Sequence, residues 1–158
     1  MKQLRSVLAI LVVVVYVVAM PRLVLASPST PLIGTIEKSE HLVDGCSCTL
    51  FDRPNWNPRD GRVIFISEIG GENAWMNVSG STESLKLFFL REPDRPLRKG
   101  DRLRRNYWSS VTHVMCDVTV TNVCDGKSEC DGFGVSATIS VVHRTRRAQI
   151  RGYGVCGC

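Results

Sequence analysis

Four of the seven cysteines stand in two Cys-x-Cys pairs, Cys46 and Cys48 in "DGCSC" and Cys156 and Cys158 in "GVCGC". On a strand, residues i and i+2 point to one side, so each pair presents two sulfurs on one face. If the two strands lie antiparallel and adjacent, each cysteine of one pair stands opposite a cysteine of the other, with Cβ atoms about 4.5 to 5.5 Å apart. Three chemistries are open to such a patch. Disulfides between the pairs would close loops of roughly 110 residues. Four thiolates would hold zinc or a cuprous ion, which accept soft ligands in a tetrahedral array. A redox-active pair would need a thiolate stabilised by a helix N-terminus or a cation. The residues favour disulfides: Cys-x-Cys is a less usual zinc spacing than Cys-x-x-Cys, no histidine lies beside either pair, and neither sits at a helix start.

Cys124 and Cys130 flank five residues that include Gly126, a spacing that suits a local disulfide at a hairpin tip. Cys116 then remains as a buried, inert thiol. Asp125, Glu129 and Asp131 do not follow the spacing of a calcium loop, so they read as a solvated acidic turn. The stretch from Arg91 to Arg105 holds seven basic residues against three acids. Its Arg98, Arg102, Arg104 and Arg105 run into Tyr107 and Trp108, and Trp75 follows a Gly-Gly turn elsewhere. These seven make up a candidate binding surface for a protein or an anionic envelope surface, weighed against a solvated loop for the basic stretch and core volume for Trp75. No catalytic motif is present: His41, His113 and His143 are isolated, without H-E-x-x-H, G-x-S-x-G or a Ser-x-x-Lys after the leader. Asn77 heads an N-x-S acceptor for glycosylation.

These residues need elements to position them, and the leader must be set aside first. Lys2 and Arg5 precede the apolar run Val7 to Met20, Pro21 breaks it, and Val24 and Ala26 are the small residues a signal peptidase requires. Cleavage is expected after Ala26. An uncleaved anchor is the alternative, and only then would the chain be held in a membrane. Residues 27–32 read as a flexible leader and 33–158 as one domain. Without the signal segment the chain carries 17 basic and 15 acidic residues, which gives nucleic acid no electrostatic case.

Short runs rich in Val, Ile, Thr and aromatics, parted by "DRPNWNPRDG", "GGEN", "REPDRPLRKGD" and "CDGKSECDG", predict an all-β fold. About seven or eight short antiparallel strands make a small sandwich or barrel. Val114, Cys116, Val118, Val120 and Cys124 share one face of a strand, and Val135, Ala137, Ile139 and Val141 share one face of the next. The two form a hairpin. "VIFISEI" is apolar on both faces and belongs between two layers or in a barrel wall.

"GCSC" upstream, "AWMNVSG" followed by "LKLFF", and the terminal "GVCGC" together resemble a group of small exported bacterial proteins of unassigned activity. The resemblance covers most of Asp44 to Cys158, brings no catalytic residues, and implies a periplasmic or secreted setting. The expectation is a non-enzymatic binding or structural protein of the cell envelope that needs no cofactor. A four-thiolate metal handler and a redox-active thiol protein are the alternatives.

Overall fold

Alternating apolar residues and the turns between them, two of which are only two residues long, organise the chain into consecutive hairpins. The computed structural model describes residues 30–37, 45–54, 62–124 and 132–158, and among them there is no helix. The residues read as a signal peptide, with their expected cleavage site, as well as His41 and Cys130, lie outside the described residues. The strands are β1 (Ser47–Phe51), β2 (Val63–Glu68), β3 (Asn73–Val78), β4 (Ser81–Arg91), β5 (Arg102–Trp108), β6 (Thr112–Val123), β7 (Gly132–His143) and β8 (Arg146–Gly157). Each pairs antiparallel with its neighbour in sequence, and β8 returns to β1, so the sheet is a closed barrel. The all-β expectation is met, and of its two architectures the barrel is the one formed. Closure leaves no unpaired sheet edge to associate with another chain.

Ser79 and Gly80 take positive φ in the two-residue turn between β3 and β4, and Arg144 does so between β7 and β8. Such turns match the right-handed twist of the flanking strands. The closing contact of β1 with β8 depends on glycine: a Cβ on Gly154 would run into the backbone carbonyl of Thr49.

Inward residues fill the barrel. Val114, Cys116, Val118 and Val120 on β6 meet Val135, Ala137, Ile139 and Val141 on β7, as their spacing predicts, and all eight are buried. A register shift between Val120 and Asn122 then changes the phase, so Val123 packs against the core. A second shift between Leu50 and Phe51 inserts Ile64 opposite them, and both Ile64 and Phe65 turn inward. A void among the interior side chains measures about 10 Å³, room for one water at most. An eight-stranded barrel is just wide enough for its own side chains, and this one is packed solid.

β2 is covered on both faces, as a barrel wall should be. Its outer residues Val63 and Ile66 form a second apolar cluster with Phe51 and Ile36. Ile36 comes from a strap, residues 30–37, that enters the wall where the ends of β2 and β3 diverge, with Leu32 packed in the interior core and Ile36 in the outer cluster. The strap pairs Ile33 with Val78 and Ile36 with Val63, and Asn77 donates its side-chain amide to the Thr35 carbonyl at 3.0 Å. Two expectations change here. Leu32, placed in the flexible leader, is buried in the main core, and the Asn77 amide of the glycosylation motif is engaged in holding the strap.

Candidate functional site

The paired strands β1 and β8 set Cys48 directly opposite Cys156, with Cys46 and Cys158 one step further out. Both pairs are disulfides, Cys46–Cys158 and Cys48–Cys156. Sulfurs held in these bonds are not available as thiolate ligands, so the four-thiolate site and the fastening are mutually exclusive states of one patch. Cys124 is also disulfide-bonded; Cys130, its expected partner, is outside the described residues. Cys116 is the free thiol, fully buried.

The candidate binding residues divide between the two sides of the barrel wall. β5 alternates, with Leu103, Arg105 and Tyr107 turned inward and Arg102, Arg104 and Trp108 outward. Tyr107 is 2 % exposed, hydrogen-bonded to the Ser67 side chain, and edge-on to Phe65 at 5.4 Å. Burial raises its hydroxyl pKa above the ordinary tyrosine value. The Arg105 side chain is 14 % exposed and lines the interior beside Cys116 and Tyr107. Neither residue belongs to a docking surface. Trp75 points outward, but it packs against the Ile36 cluster under the strap and is half-buried. Arg98, Arg102, Arg104 and Trp108 remain exposed.

The outer wall of β4 to β7 adds residues that the sequence reading missed. A register shift between Leu87 and Phe89 leaves Phe88 as an extra residue on β4. Phe88 is 53 % and Trp108 57 % exposed. The two rings meet edge to face at 6.2 Å, and the His113 ring lies 5.3 Å from Phe88. With Val111, Val142 and Arg144 they line an open groove of about 660 Å³. Phe89, Leu90 and Val111 are exposed as well. About 13 Å away along β5, at ~3.3 Å per residue, a second row crosses the wall through Arg91, Arg104, Asp117 and Thr138. Arg104 grips Asp117 with two hydrogen bonds of 2.6 and 3.1 Å. Arg91, Arg102, Arg144 and Arg147 have no ion pair among the described residues.

The charge distribution is as uneven as the apolar one. From residue 86 onward the chain carries thirteen Lys and Arg against seven Asp and Glu, whereas from 30 to 85 it carries four against eight. Each strand pairs mainly with its sequence neighbours, so the β4 to β8 part of the barrel is the more positive one.

At the end of the barrel that holds the β5–β6 and β7–β8 turns, the fold assembles a polar network from residues far apart in sequence. Ser109 donates its hydroxyl to Glu83 at 2.9 Å and accepts the Thr112 backbone N–H at 3.2 Å. His143 Nδ1 shares a 2.7 Å hydrogen bond with the Thr112 hydroxyl and lies 3.4 Å from Glu83. The Ser109 hydroxyl is bonded to the carboxylate rather than to the imidazole, so His143 is not placed to take its proton. The network works as a clamp on the β5–β6 turn. That turn in turn positions Val111 and Trp108.

The outer wall differs from that of a membrane-spanning barrel, which presents an apolar belt to lipid. At mid-strand it carries Arg104, Asp117, Thr119 and Thr138. Comparison of the chain with protein-family models, with curated proteins and with solved structures finds no match.

Proposed function

We propose that this protein is an exported, disulfide-fastened barrel of the cell envelope that works by binding, with the outer wall of β4 to β7 docking on an anionic surface. The observation that carries the reading is the coincidence, on one wall, of the exposed Phe88–Trp108 cluster with arginines that have no acidic partner among the described residues. Monomeric proteins rarely expose contiguous large apolar side chains without a use for them, and unpaired cations beside them select for negative charge. The two disulfides between the ends of the domain support an oxidising compartment, where such bonds persist.

The test is retention on an immobilised polyanion such as heparin-agarose, read as the salt concentration needed for elution. Arg91, Arg102 and Arg104 replaced together by serine should elute at clearly lower salt, because the attraction is screened as ionic strength rises. Unchanged elution would sink the reading. Arg105 is left in place because it faces the interior, where its loss would disturb packing.

A further inference from the structure

We propose that the surface this wall meets is an anionic lipid bilayer, with the barrel lying on the outer side of β4 to β6. The inference rests on the binding reading above and names its partner. Two observations converge on it.

The first is the chemistry of the wall. Trp108 and Phe88 offer large flat rings and Phe89 and Val111 extend the apolar area; Arg144 lines the groove beside the rings, and Arg91 and Arg102 lie further along the wall, none of the three with an acidic partner among the described residues. Aromatic rings settle at the level of lipid headgroups, and cations beside them meet the phosphates. The groove between the rings is open and shallow, which suits a fluid surface.

The second is the polarity of the whole barrel. With thirteen basic and seven acidic residues from 86 onward and four against eight from 30 to 85, a negatively charged plane would orient the molecule before contact. The aromatic cluster lies on the side so presented.

The experiment uses the oxidised chain recovered after export, its N-terminus read by mass spectrometry. It compares co-flotation with vesicles of phosphatidylcholine alone and of phosphatidylcholine with one-third phosphatidylglycerol. Binding is expected to the mixed vesicles only and to weaken with salt. Arg144→Ser should reduce partitioning about fivefold, the factor that corresponds to roughly 1 kcal/mol per surface cation. Trp108→Ser and Phe88→Ser should each reduce it roughly tenfold. These side chains are exposed, so the variants should fold, and circular dichroism checks that they do. Equal binding to both vesicle types, or binding that ignores Trp108, would point to an apolar N-terminal segment and overturn the proposal. Salt-sensitive retention on heparin-agarose without vesicle binding would remove the bilayer and leave the cationic docking wall standing. Loss of both would remove the two readings together.

Discussion

Cys116 illustrates how much one buried atom can report. It lies on β6 opposite Arg105 and Ile139, with no exposure to speak of, and burial pushes its thiol from 9.0 up to about 12 against a smaller downward pull from Arg105. A thiol whose folded pKa is raised contributes stability that is fully present below its unfolded value and is lost as pH climbs through the folded one. Tyr107, also raised by burial, adds a loss of the same sign. The denaturation midpoint should therefore fall between pH 9 and 11, and fall less in Cys116→Ala; an identical pH profile in the variant would contradict this account. In the same preparation, Ellman's reagent at pH 8 should find no thiol in the native chain and one per chain after unfolding without reductant. That Cys116 would be buried was legible, because Val114, Val118 and Val120 flank it at period two. Arg105 and Tyr107 were misplaced because an arginine at an inward position breaks the apolar alternation that identifies a strand face. "RLRRNYW" looks like the end of a charged loop until its pairing with β6 is seen.

Elements were legible where the period was clean and illegible where a neighbour supplied the logic. β6, β7 and the doubly buried β2 could be read from alternation and from runs of Val and Ile. β5 could not, and neither could the strap, whose first residues read as a flexible leader. Its residues Ile33 and Ile36 make only isolated bridges; Ile36 is fixed by the apolar patch that Phe51 of β1 and Val63 and Ile66 of β2 leave on the outside, and Ile33 by the main core. The bulge that exposes Phe88 is equally silent in sequence, since it depends on the register between β4 and β5. The strap leads to a prediction at this scale. Ile36→Ala should cost about 2 to 4 kcal/mol in denaturant unfolding, the usual range for truncating a buried aliphatic side chain, because nothing else in the strap seals that cluster. Thr35→Ala, which leaves the carbonyl that Asn77 uses, should change stability by no more than about 0.5 kcal/mol. Equal effects of the two would mean that the strap is held by its backbone alone.

At the scale of the molecule, the two Cys-x-Cys pairs were legible as a fastening, and the closed barrel explains why there are two of them at this place. β1 and β8 are the only neighbours not joined by a nearby turn, so their contact must form between residues 108 and 112 positions apart. Closing a loop of that length costs the unfolded chain about 4 to 5 kcal/mol in the chain-entropy model. Either disulfide removes most of that cost by itself, and the second adds little because it closes nearly the same loop. Removal should therefore be strongly non-additive. Replacing Cys46 and Cys158 with alanine should lower unfolding stability by about 1 kcal/mol. Replacing Cys48 and Cys156 should cost more, about 2 to 3 kcal/mol, since both sulfurs are buried in the core and their loss also removes packing. All four replacements together should exceed the sum of the two pairs, because only then does the unfolded chain regain the full freedom of its ends. Urea unfolding of the four proteins measures this directly. A simple sum would mean that the bridges act through local contacts, and that the antiparallel pairing of β1 with β8, with Gly154 packed on the Thr49 carbonyl, closes the barrel without help from either bond.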